Sequence, residues 1–154
     1  MNQLLILFLI SLMLSSCAST QRDYPADFYV QYHSKGALTQ HEINVEINKN
    51  RMKLYFSSRQ PSRSINKSHT ITDAEASDLY NYLNSVDFHS IKSPEKEKML
   101  DMPQEHIRAT YDGNKNDIDL TSVRNIPDNI RKVRERIMML VDKYDKNFRT
   151  EAGL

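Results

Sequence analysis

The side chains of this 154-residue chain that could do chemistry are few enough to weigh one at a time. Cys17 is the only cysteine, so it has no disulfide partner within the chain and no companion thiolate with which to hold zinc. The five histidines are His33, His41, His69, His89 and His106. None stands in HExxH and their spacings fit no zinc frame, so neither a metal nor a cofactor is expected. Ser57, Ser58, Ser62 and Ser64 lie in one polar stretch, and no serine occupies a G-x-S-x-G elbow. The glycines are Gly36, Gly113 and Gly153, too dispersed for GxxxxGK[ST] or GxGxxG phosphate loops. Carboxylates are plentiful, but no spacing marks two of them as a pair for glycoside hydrolysis. The expectation is that the protein is not an enzyme.

Charge is distributed less evenly than chance would have it. Between Glu46 and Asp73 there is no acid, while Lys49, Arg51, Lys53, Arg59, Arg63 and Lys67 all fall there. The sign then reverses, with Asp73, Glu75, Asp78 and Asp87 preceding Lys92. Two readings follow. The bases could be neutralised by the acidic segment lying beside them, in surface pairs worth about 0–1 kcal/mol each. Or Arg51, Lys53, Arg59, Arg63 and Lys67 could form a patch for phospholipid or lipopolysaccharide headgroups, or for an acidic partner. The net charge of +1 gives no strong pull toward nucleic acid, and none is expected as a partner. "MLDMP" sets Met99, Leu100 and Met102 in a charged loop, to fold over a sheet edge or to meet an adaptable partner surface.

Upstream, Leu4 to Leu14 is apolar except for Ser11. A membrane-spanning helix needs roughly 20 such residues, so this run has the length of a signal-peptide hydrophobic region instead. No Lys or Arg precedes Arg22, leaving the terminal amine as the only positive charge before the apolar run. The run ends in Leu14-Ser15-Ser16-Cys17, which resembles the lipobox of bacterial lipoproteins. That resemblance implies cleavage before Cys17, a diacylglyceryl group on its sulfur and an acyl chain such as palmitate on its new amino group. Two or more chains anchor stably where one binds marginally. By the same resemblance, Ala18 after the cysteine, rather than Asp, implies the outer membrane, with the domain facing the periplasm.

The elements that must carry these side chains can be read from periodicity. Removing residues 1–16 leaves 154 − 16 = 138 residues, enough for one core. Phe28, Val30 and Tyr32, then Ile43, Val45 and Ile47, then Met52, Leu54 and Phe56 alternate with polar residues, as in an antiparallel sheet wet on one face. The short "NKN" predicts a hairpin that sets a Glu across from Arg51 or Lys53. Ser68–Thr72 is expected to add a strand. Thr72 with Glu75 makes a capping box for a helix whose apolar face is Ala76, Leu79, Tyr80, Leu83 and Val86. Lys92 to Gln104 reads as a polar loop, and Asp112-Gly113 as the turn of a second hairpin. Pro127 suits the first turn of a last helix lined by Ile130, Val133, Ile137, Leu140, Val141 and Tyr144.

The expected fold is therefore α+β, an antiparallel sheet of about five or six strands with two helices packed on one face. Residues 1–16 are assigned to the signal peptide, 17–25 to a lipidated tether, 26–148 to the domain and 149–154 to a tail. The order of elements and the lipobox together resemble small lipoproteins of Gram-negative bacteria. The resemblance implies a lipid-anchored, non-enzymatic binding or structural module with an envelope protein as partner. An inhibitor or immunity protein against a cell-wall hydrolase or toxin needs the same parts and is the alternative.

Overall fold

The computed structural model describes residues 23–37, 41–59, 63–97 and 102–152. Residues 1–16, expected as a signal peptide, and Cys17, Met99 and Leu100 lie outside the described residues. The elements are β1 (Tyr29–Lys35), β2 (Glu42–Asn48), β3 (Arg51–Ser57), β4 (Ile65–Thr70), α1 (Asp73–Ser85), a single 3-10 turn (Phe88–Ser90), β5 (Gln104–Tyr111), β6 (Asn114–Asp119), α2 (Asp128–Tyr144) and α3 (Phe148–Ala152). The strands form one six-stranded antiparallel sheet in the order β4-β3-β2-β1-β5-β6. The fold is the expected α+β arrangement.

Alternation along each strand decides the layers. Val30, Tyr32, Ile43, Val45, Ile47, Met52, Leu54, Phe56, Ile107, Ala109, Tyr111 and Ile118 are buried on one face. They share one core with Ala76, Leu79 and Leu83 of α1 and Ile130, Val133, Ile137, Met138 and Val141 of α2. The helices thus cover a single face. α1 begins with the expected capping box: Thr72 Oγ1 accepts from the Glu75 amide at 3.2 Å, and Glu75 Oε2 accepts from the Thr72 amide at 2.8 Å.

Four boundaries differ from the sequence expectation. β4 starts three residues early, at Ile65, and leaves Ile71 in the core. Pro127 stands at the N-cap of α2 rather than in its first turn, with an extended ψ of 145°. The segment expected as a tail is helical through Ala152, because Phe148 and Ala152 are buried. The assigned tether reaches too far: Tyr24 is buried and its hydroxyl donates to Asp73 at 2.6 Å. The folded body therefore begins within seven residues of Cys17.

Leu83 is fully buried, but Leu140 is only half-buried at the rim, while Met138 enters the core. A 3.6-residue period places both Leu140 and Met138 on the flanks of the α2 stripe. Which flank is covered depends on tertiary neighbours that the period does not encode.

Candidate functional site

With both helices on one face, the other face of the sheet is open and its side chains are polar. Strand register lays them out in rows. One row runs Asp117, Arg108, Gln31, Glu46, Lys53 and Ser68 across all six strands. The next runs Asp119, His106, His33, Asn44, Tyr55 and Asn66. Glu46 opposite Lys53 is the Glu-to-base juxtaposition expected of the hairpin, although the two close no ion pair among the described residues.

These side chains hold one another in place. Arg108 Nε donates to Asp117 at 2.7 Å and its Nη1 reaches Gln31 Oε1 at 3.4 Å. The Gln31 amide donates to Asn44 at 2.8 Å, and the Asn44 amide to Glu46 at 2.8 Å. The result is a hydrogen-bonded ribbon over β6, β5, β1 and β2. Beside it, His33 Nε2 meets Glu42 at 3.0 Å and His106 Nδ1 meets Asp117 at 3.2 Å. The two histidines are opposite in register, yet each leans on a carboxylate of its own side. Burial alone would raise the Asp119 carboxyl. The Lys96 ammonium, the Thr121 donors and the His106 ring outweigh it and hold the carboxyl down at about 2. Burial first, and then the Glu46 carboxylate, push the Tyr29 hydroxyl up. Among the described residues, two large apolar side chains are exposed, Tyr55 at 37% on this face and Met139 at 61% on the helical side.

The β6 edge is covered by the loop expected to be polar. Ser93 Oγ accepts from the Asp119 amide at 2.9 Å, Lys96 pairs with Asp119, and the Glu97 amide donates to Ser122 at 2.9 Å. At the opposite edge, Lys67 of β4 turns its charge toward the helical side and pairs with Asp145 at 2.6 Å. An inward-pointing charge on an edge strand discourages edge-to-edge pairing with another chain.

The five bases assigned to one anion-facing patch are not brought together. Arg51 stands at the β2–β3 turn and Lys53 lies on the open face two pairs further in. Arg59 and Arg63 lie beyond the other end of β3, whose run from Arg51 to Ser57 spans about 20 Å at roughly 3.3 Å per residue. Lys67 leaves the set altogether through its pair with Asp145. The neutralisation reading fares no better for Glu75 and Asp78, which are matched to α2: Glu75 pairs with Lys143 and Asp78 with Arg136.

The remaining histidines are scattered. His69 faces the helical side against Tyr144, with ring centroids 5.8 Å apart, and His89 lies on Tyr111 at 4.0 Å. The Nε2 of His69 and both ring nitrogens of His89 are buried without a hydrogen-bond partner. Met102 is half-buried and lines a cavity of about 550 Å³ with Lys35, Gly36, Ala37, Glu42 and Gln104. Among the described residues, no group of three or more His, Cys, Asp or Glu could hold a metal ion, and no helix is long and apolar enough to cross a membrane.

Sequence reasoning missed the open-face ribbon. Its polar positions were legible, but the order of strands that aligns Arg108 with Gln31 was not. No protein-family model matches the sequence, and no curated protein matches it.

Proposed function

We propose that the chain is a lipoprotein of the outer membrane, fixed to the periplasmic leaflet through Cys17, that binds an envelope protein on the open face of its sheet without catalysing a reaction. The observation that carries this reading is the ribbon from Asp117 to Glu46. Side chains held by neighbours lose less freedom on binding than free ones, so a partner meets a surface already ordered. The lipobox resemblance supplies the anchor, and a surface tethered to a bilayer needs only to present itself to partners confined to the same space.

A photo-reactive amino acid in place of Tyr55 or of Met139, introduced into the full anchored chain, tests the reading. Position 55 should give a discrete adduct with one envelope protein, lost when Arg108→Ala and Asn44→Ala break the ribbon, and position 139 should give none. Adducts from position 139 alone would move the working surface to the helices. A cell-wall hydrolase or toxin as the adduct would select the inhibitor or immunity role.

A further inference from the structure

The point where the folded chain starts and the point where its unpaired bases gather are the same end of the sheet. Phe28 O accepts from the Lys49 amide at 3.2 Å, so the core residue that leads into β1 is tied to the β2–β3 turn. The Asp27 carboxylate accepts from the amides of Asp112 and Gly113 at 3.1 and 2.8 Å, tying the β5–β6 turn to the same place. Between Cys17 and Tyr24 lie at most seven residue steps, a reach of about 25 Å when fully extended. If Cys17 carries lipid, this end stands over the leaflet.

A cleft of about 300 Å³ opens there, lined by Glu46, Asn48, Lys49, Asn50, Arg51 and Lys53. Arg51 and Lys53 share one face of β3, with Asn48 directly across from Arg51. Lys49 sits in the two-residue turn at φ 55, a left-handed conformation that glycine or asparagine would adopt at less cost. The three bases make no ion pair among the described residues. The nearby acids, by contrast, already have donors: Glu46 takes the Asn44 amide, Asp27 the two turn amides, Asp73 the Tyr24 hydroxyl and Asp112 the Tyr80 hydroxyl. Three unpaired cations and two side-chain amides around a small cleft suit an oxyanion with several acceptor oxygens.

We propose that this cleft is a phosphate site, and that its occupant is the headgroup phosphate of a lipid in the leaflet that holds the anchor. The inference rests on the lipid-anchored reading above. Acylation supplies attachment, and the cleft fixes posture: with its tether end down on the headgroups, the domain stands with its open face turned along the membrane and Arg59 and Arg63 held away from it.

The test uses the full mature chain reconstituted in vesicles of phosphatidylglycerol or of phosphatidylcholine. Co-flotation with both vesicles at high salt reports the anchor; amide hydrogen exchange of residues 48–53 reports the cleft. Exchange there should slow on phosphatidylglycerol at low salt and recover as salt rises, because attraction decays within about 8 Å at physiological ionic strength. Each base near an anionic surface is worth roughly fivefold in occupancy, so Arg51→Ser with Lys53→Ser should weaken the effect about 25-fold. Arg59→Ser with Arg63→Ser should leave it unchanged. Equal losses from the two pairs, or no slowing on either vesicle nor with inorganic phosphate despite flotation, overturns the site while sparing the anchor. Failure to float overturns the anchored reading instead. Slowing by inorganic phosphate in detergent, with none on vesicles, supports the phosphate site and overturns the lipid as its occupant.

Discussion

Glu75 is the side chain whose removal should be felt most clearly as a function of pH. It joins three elements: its carboxylate accepts from the amide and hydroxyl of Thr72, both at 2.8 Å, takes the Tyr144 hydroxyl of α2, and pairs with Lys143. Burial on its own would raise this carboxyl, but the Lys143 ammonium, the Tyr144 hydroxyl and the Thr72 donors outweigh it and hold the group at about 2, against an ordinary 4.5. At 1.36 kcal/mol per tenfold, that difference would be worth about 3 kcal/mol; Lys143 is largely in solvent, and screening there reduces the expected contribution to about 1–2 kcal/mol. The sign follows from which state takes the proton first. The unfolded chain protonates near 4.5 and the folded one near 2, so the contribution is present above the upper value and lost as pH falls toward the lower. Glu75→Gln never has it. Urea unfolding of both proteins at a series of pH values should therefore give a gap of about 1–2 kcal/mol at pH 7 that closes as the pH approaches 2. A gap that stays constant with pH would refute the charge argument and leave only a lost helix cap.

Other perturbations separate the core from its rim and the open face from its edge. Leu83→Ala, in a fully buried position, should cost about 2–5 kcal/mol in chemical unfolding, and Leu140→Ala at the rim clearly less; equal costs would contradict the packing described. Asp119→Asn removes the partner of Lys96 and should free the loop at Ser93–Glu97, seen as faster amide exchange there and in β6, while β3 is unaffected. Since burial and its donors leave the Asp119 carboxyl at about 2, the difference from wild type should persist at pH 5 and shrink only near that value.

The strands of this fold were readable in outline because a half-buried sheet repeats every two residues, and the runs Phe28–Tyr32, Ile43–Ile47 and Met52–Phe56 each keep that period. The capping box at Thr72 and Glu75 was equally local and equally readable. What the chain order hid was pairing over distance. That β5 returns beside β1 brings His106 next to His33 and Arg108 next to Gln31, contacts 73 and 77 positions apart that no spacing rule encodes. The same holds for charge. Six bases in a row of sequence look like a patch, but alternation and strand length distribute them to two ends and two faces of the sheet. Lys67 shows the point most simply, since its partner Asp145 lies 78 positions away.

The account turns on whether the folded body hangs from a lipid at Cys17. Mass spectrometry of the amino-terminal peptide, taken from protein purified out of bacterial membranes, answers this directly. The account predicts a chain that begins at Cys17 and carries the added mass of a diacylglyceryl group and an amide-linked acyl chain. A peptide that begins at Met1, or an unmodified Cys17, would contradict it.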